Sequence, residues 1–162
     1  METIIKALFH ACRNGEIPLL QEVIENGADV NAKDEKGYTP LIIACYNNQL
    51  QAVQLLINAH AAIDASDAGG NTALMGAAFK GYADIASLLI KHGAKIDLQH
   101  GNGGTALMFA SMFGRNELIR LLLDSGADPG ITECRGMTAL ELAIQQGNHE
   151  GAALLQENQK PA

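Results

Sequence analysis

Few side chains in this sequence could do chemistry, and their spacing does not assemble a reaction. The five histidines are His10, His60, His92, His100 and His149. A zinc hydrolase sets two imidazoles one helical turn apart with a carboxylate beside them, as in H-E-x-x-H, so that both rings reach one ion from one helix face. No two histidines here stand in that relation. His92 and His100 could meet at one loop edge, where exposed imidazoles are ordinarily only solvated. The three cysteines, Cys12, Cys45 and Cys134, are odd in number and form no C-x-x-C. Cys134 lies beside Arg135, a cation that favours a thiolate, but a tolerated surface cysteine is the simpler reading. Gly101-Asn102-Gly103-Gly104 has the glycine density of a phosphate-cradling loop, yet no Lys-Ser/Thr follows it and no strand pattern precedes it. Nothing brings together a nucleophile, a base and an orienting group. The chain is expected not to be an enzyme and to need no cofactor and no metal.

Composition narrows the partners. Eleven basic residues against eighteen acidic give a formal charge of −7, which opposes a nucleic-acid backbone and favours partners with basic patches. The segment Met1-Glu2-Thr3-Ile4-Ile5-Lys6 has an acid where a secretory leader is basic, and Lys6 and His10 break its apolar run. No stretch approaches the length of a membrane span. The expectation is a cytoplasmic protein that binds neither nucleic acid nor membrane and is a monomer on its own. Apolar residues make up 48% of the chain but aromatics only 4%, with no Trp. Small and aliphatic side chains must therefore do the packing, which suits thin layers stacked side by side.

The elements that must carry these residues repeat. Thr39, Thr72, Thr105 and Thr138 stand 33 residues apart, and so do Gly37, Gly70, Gly103 and Gly136. Leu8, Leu41, Leu74, Leu107 and Leu140 keep the same register, as do Ala11, Ala44, Ala77, Ala110 and Ala143. Self-similarity at a fixed period of this length marks a repeat architecture, and the helical spacing read within the units makes the expected fold an all-α repeat solenoid. The register divides a single domain, residues 1–162, into units at 1–33, 34–66, 67–99, 100–132 and 133–158. In the first unit Thr3 is the expected helix cap, Gly15 ends that helix, and Gly27 ends a second one by adopting the left-handed conformation. In the second unit Asp34-Glu35-Lys36-Gly37 reads as a tight turn, Thr39 as a cap and Pro40 as the first helical residue. That helix, running to about Asn48, is too short to stand alone. The following helix, about Leu50 to Ala59, should bury Val53, Leu56 and Ile57. Asn48 and His60 occupy stop positions held elsewhere by glycine, and His60 should cost up to about 1 kcal/mol there.

In the third unit Thr72 caps, Gly81 separates the helices, and Ile85, Leu88, Leu89 and Ile90 point inward. The tip at His100 to Gly104 carries three glycines and is expected to be the most mobile. In the last unit Gln156 replaces Ile57, Ile90 and Leu123 of the earlier units, beside Glu150 and Glu157, as a polar end-cap requires. Residues Gln159 to Ala162 should fray. Cys12 and Cys45 share a register in adjacent units. Stacked helices would hold them roughly 8–10 Å apart, beyond the ~7 Å that a disulfide tolerates. They read as small buried residues of a reducing compartment.

Turn, T-x-L, short helix, Gly, L-L-I helix and G-A-D-V-N in a 33-residue period resembles the ankyrin repeat. Thr39-Pro40-Leu41, Asn26-Gly27-Ala28-Asp29-Val30-Asn31 and Ser125-Gly126-Ala127-Asp128 are the best copies. The family's His after T-P-L is absent. Ile42, Met75, Met108 and Glu141 stand there instead, which implies a more apolar seam. The resemblance implies helix-turn-helix units with β-hairpin-like tips in a curved, right-angled stack. It also implies a protein partner bound on the concave face, through the tips and the short helices. Carried over position by position, the contact set is Arg13, Lys33, Glu35, Lys36, Tyr38, Tyr46, Asn47, Asn71, Phe79, Lys80, Asn102, Met112, Phe113, Arg135 and Met137. Four of the seven aromatics fall in it, as expected of a docking surface, and its cations outnumber its acids. Packing of Phe79 and Phe113 against neighbouring helices is the alternative for those rings. If both rings are exposed, replacing the two by Ala should abolish binding and leave the melting temperature nearly unchanged. The expected role is that of an inhibitor, adaptor or enzyme companion. The alternative is an accessory factor for a specific enzyme or toxin, like the catalase-associated or immunity-type ankyrin proteins of bacteria that it resembles in size, or a small-ligand carrier.

Overall fold

The computed structural model describes residues 2–158 and contains ten helices among them. In chain order they are α1 (Glu2–Asn14), α2 (Ile17–Glu25), α3 (Pro40–Tyr46), α4 (Leu50–Asn58), α5 (Ala73–Lys80), α6 (Ala83–Lys91), α7 (Ala106–Met112), α8 (Asn116–Asp124), α9 (Ala139–Gln145) and α10 (His149–Asn158). The odd-numbered helices pack on one another in one row and the even-numbered helices in a second. Each inner helix is also paired with the outer helix that follows it. This is the all-α solenoid that the period requires. The expected fraying of Gln159 to Ala162 lies outside the described residues.

Inner helices of seven or eight residues are too short to persist alone, and the repeated residues show what holds them. The hydroxyls of Thr39, Thr72, Thr105 and Thr138 accept from the N–H groups of Ile42, Met75, Met108 and Glu141 at 3.1–3.3 Å. Ala11, Ala44, Ala77, Ala110 and Ala143 have no exposed surface at all, so each inner helix can press directly on the next. Ile42, Met75 and Met108 are buried, which gives the apolar seam expected from the missing histidines. Outer helices contribute one buried stripe each, such as Ala52, Val53 and Leu56 on α4 and Ile85, Ala86 and Leu89 on α6. Ile57, Leu88 and Ile90, read from the sequence as inward-pointing, are only half-buried. They lie at the flank of the stripe.

The first helix begins two residues earlier than expected. Glu2 is already helical, so Thr3 sits in the first turn and does not cap it. Glu2 is the acid near the positive helix end and pairs with Lys6 at 3.2 Å. The array's far end is polar in part. Glu150, Gln156 and Glu157 are exposed, but Ile144 is also 57% exposed. Its counterparts Cys12, Cys45, Ala78 and Ser111 are small and fully buried. Among the described residues no inner helix other than α7 packs on α9, so this seam position is uncovered.

The tips are tied to one another as well as closed on themselves. Asp34, Asp67, His100 and Glu133 each accept a backbone N–H from four residues on, at 2.8–3.0 Å. Between tips, Ala68 N–H donates to the Lys36 carbonyl, Gly101 N–H to that of Gly69, and Cys134 N–H to that of Asn102. This is why Gly70 and Gly103 must be glycine. Both have positive φ (85° and 87°), and a Cβ on either would come within 3.0–3.1 Å of the next tip's backbone. The glycine-rich tip expected to be loosest has the same ties as its neighbours. It also gains a bond from Gln99 Nε2 to the Gly103 carbonyl at 2.8 Å.

Candidate functional site

The ends of the inner helices and the tips share one face, where the structure gathers much of the expected contact set. Tyr46 closes α3 and Phe79 occupies the same register near the end of α5, so the stacking of units stacks their rings. The centroids are 6.0 Å apart with planes 12° from parallel. Phe113, which caps α7, meets Phe79 edge-on at 4.6 Å. Lys80 Nζ lies 4.6 Å from the Tyr46 ring centroid, a favourable place for a cation. Tyr46 and Phe113 are each 43% exposed, while Phe79 between them is half-buried. Both sequence-based alternatives therefore apply: the outer rings face solvent and the middle ring packs.

Two concavities lie beside this ladder. One of about 300 Å³ lies between the second and third units, and Tyr38, Tyr46, Asn47, Asn71 and Phe79 from the expected set line it. Its floor and far wall are Ile42, Ile43, Met75, Gly76 and Phe109. The other, about 370 Å³, brings together Asn102, Met112 and Arg135 with His100, Met108, Cys134 and Leu142. Phe109 is the wall common to both, and the His100 ring meets it edge-on at 5.1 Å. Ile42, Ile43, Met75, Gly76, Phe109 and His100 were not in the expected set. A signal for two of them existed. The register that Ile43 occupies reads His10, Ile43, Gly76, Phe109 and Leu142, and a helix-interior glycine beside a phenylalanine is a visible anomaly.

Two of the charged members of the expected set, Lys33 and Arg135, are bonded within the fold. Lys33 Nζ donates to the Ser66 carbonyl at 2.9 Å, tying one unit to the next. Arg135 Nε donates to Glu133 Oε2 at 2.9 Å, so the guanidinium beside Cys134 is turned to a carboxylate. The Arg135 side chain, then the Met137 N–H, hold the Glu133 carboxyl below the usual glutamate range. Lys36 and Glu35 stand exposed on the first tip and Arg13 at the end of α1. Met137 is half-buried against the core. Polar groups of the first concavity are also engaged. Asp67 Oδ1 accepts from Gly69 N–H and Asn71 N–H, both at 2.9 Å, and Asn47 Nδ2 donates to the Ile43 carbonyl at 2.8 Å. What stays open is an apolar surface with two tyrosines at its rim.

The other chemistry-bearing side chains do not join this face. Burial pushes the Cys12 thiol up to about 12, and burial together with the neighbouring Cys12 pushes Cys45 higher still. Both are free and buried, so neither offers a thiolate. Among the described residues no three His, Cys, Asp or Glu side chains come together in a way that could hold a metal ion. No helix among them is long and apolar enough to cross a membrane. A family model described as ankyrin repeats (3 copies) matches residues 8–100 and again residues 92–161. No curated protein matches the chain.

Proposed function

The chain belongs to the ankyrin repeat family, whose repeats are generally protein–protein interaction modules, and from that premise we propose that it is a non-catalytic binding module. It takes one partner protein along the face built from the inner-helix ends and the tips, and it acts as an inhibitor, adaptor or enzyme companion. The domain is a single array of five units, 1–33, 34–66, 67–99, 100–132 and 133–158, working as a monomer in the cytoplasm. The observation that carries the reading is the exposed ladder Tyr46–Phe79–Phe113 beside an apolar concavity. Aromatic side chains at the surface supply most of the binding energy where partners dock, and two of these rings gain nothing obvious from standing 43% in water. The negative net charge supports a protein partner over nucleic acid, and the two buried free thiols support a reducing compartment.

The test is capture from the source cell with three baits: wild type, Phe79→Ala with Phe113→Ala, and Leu50→Ala. Leu50 is a 41%-exposed apolar residue at the start of α4, off the ladder. A protein held by wild type and Leu50→Ala, and lost from a double variant that still melts cooperatively, is the expected result. Equal capture by all three baits would remove the proposed face.

A further inference from the structure

Position 76 breaks the repeated pattern in favour of a hole. Its counterparts in the other units are His10, Ile43, Phe109 and Leu142; only α5 carries a glycine there. The backbone does not ask for it, since Gly76 lies inside α5 and is absent from the residues of positive φ. Glycine inside a helix costs about 0.5–1 kcal/mol relative to alanine. Packing does not ask for it either. A Cβ at this position would meet only Tyr46 Cδ2, at 3.5 Å, an ordinary contact. What the glycine does is open the concavity of about 300 Å³ walled by Tyr46, Phe79, Ile43 and Phe109. That volume is at the small end of ligand pockets (~300–1,000 Å³), and the Asn47, Asp67 and Asn71 side chains that line it are already hydrogen-bonded internally. It has the size and chemistry to receive one apolar side chain.

The charge around it selects the context of that side chain. Lys80 stands over the Tyr46 wall, and Lys36 is exposed on the tip that supplies Tyr38. The acids nearby are Asp34 and Glu35 on that tip and Asp67 at the rim; Asp34 and Asp67 each accept two backbone N–H groups, which leaves Glu35 as the carboxylate without such bonds against the two lysines. Resting on the protein-binding reading above, we propose that the Gly76 notch is an anchor pocket for a single bulky aliphatic or aromatic residue, in a partner segment whose flanking residues are acidic. The anchor enters between Tyr46 and Phe109, and the flanking carboxylates meet Lys80 and Lys36.

A displayed library of random dodecapeptides, panned on the intact chain, tests this directly. Wild type is expected to enrich peptides with one Leu, Met or Phe beside Asp or Glu. Gly76→Leu should weaken a selected synthetic peptide at least tenfold in fluorescence polarisation, and Lys80→Ala should weaken it less. The larger side chain is one that α9 carries at the same register as Leu142, so the fold accepts it. If Gly76→Leu nevertheless melts early, Gly76→Ala, which only makes the ordinary contact with Tyr46, must still weaken binding. Basic or anchorless peptides, no enrichment, or equal affinity for wild type and Gly76→Leu would each overturn the proposal. So would concentration-dependent dimers lost on Gly76→Leu, since the occupant would then be a second copy. A partner protein lost on Phe79→Ala with Phe113→Ala but held by Gly76→Leu would leave the binding role standing and remove the anchor pocket alone.

Discussion

Glu133 takes the place that aspartate holds in the second and third units, and its longer side chain does two jobs. One oxygen accepts the N–H groups of Arg135 and Met137 at 2.8 and 3.0 Å, and the other takes Arg135 Nε. Its side chain is only 9% exposed. These bonds are strongest to the ionised carboxylate, which is why its proton affinity is lowered, chiefly by the Arg135 side chain. An acid depressed in the folded state stabilises it fully above the unfolded glutamate value of about 4.3, and that contribution disappears as pH falls through the lower folded value. Melting curves between pH ~6 and ~2.5 should therefore drop further for wild type than for Glu133→Gln. The two should converge at the acid end; parallel curves would mean that the pair contributes nothing. Phe79 shows the other residue-scale lesson. Two ring contacts at roughly 0.5–1.5 kcal/mol each mean that Phe79→Ala must lower stability, so the expectation of an unchanged melting temperature for the double variant does not survive the geometry. Phe113→Ala alone, removing one contact from a half-exposed ring, is the gentler probe.

At the scale of the element, α1 to α9 each end at a left-handed stop, and two of those stops lack glycine. Asn48 and His60 have φ of 58° and 66°, against 69–82° and 86–96° for the glycines at the same registers. Both side chains are exposed and so gain little from packing. Asparagine tolerates this conformation and histidine less so, hence His60→Gly should raise the unfolding free energy by up to ~1 kcal/mol and Asn48→Gly by less. Chemical denaturation reads both, and a destabilised His60→Gly would show that the ring has a contact worth more than the strain. These stops, the threonine caps and the buried alanines were legible in the sequence because each answers to one register position. The site was legible only where a side chain is present. Tyr46, Phe79 and Phe113 could be placed by position, whereas the Gly76 concavity is a missing side chain, visible only once the neighbouring walls are in place. Lys33 and Arg135 were read as groove cations, yet each finds a partner: a carbonyl 33 residues on for Lys33, a tip carboxylate for Arg135. Which acceptor a long cation chooses depends on close geometry that spacing alone does not contain.

For the whole molecule, stability is a sum over units and the seams between them, so the same kind of substitution should matter very differently along the array. Ala77 belongs to the middle unit, is fully buried, and its helix packs against both α3 and α7. Forcing a larger side chain into a well-packed interior costs about 1–3 kcal/mol. Because α5 serves two seams, Ala77→Leu should weaken the coupling on both sides and separate the array into halves that unfold at different urea concentrations. Ile144 faces the opposite circumstance: it is 57% exposed, on a helix that packs against one inner helix, α7, among the described residues. Ile144→Gln should lie within ~0.5 kcal/mol of wild type and keep a single transition. Urea titrations followed by circular dichroism decide the matter. Equal midpoints and equal slopes for the two variants would mean that the array does not transmit stability from unit to unit. The groove, which is assembled from three consecutive units, would then need some other source of rigidity.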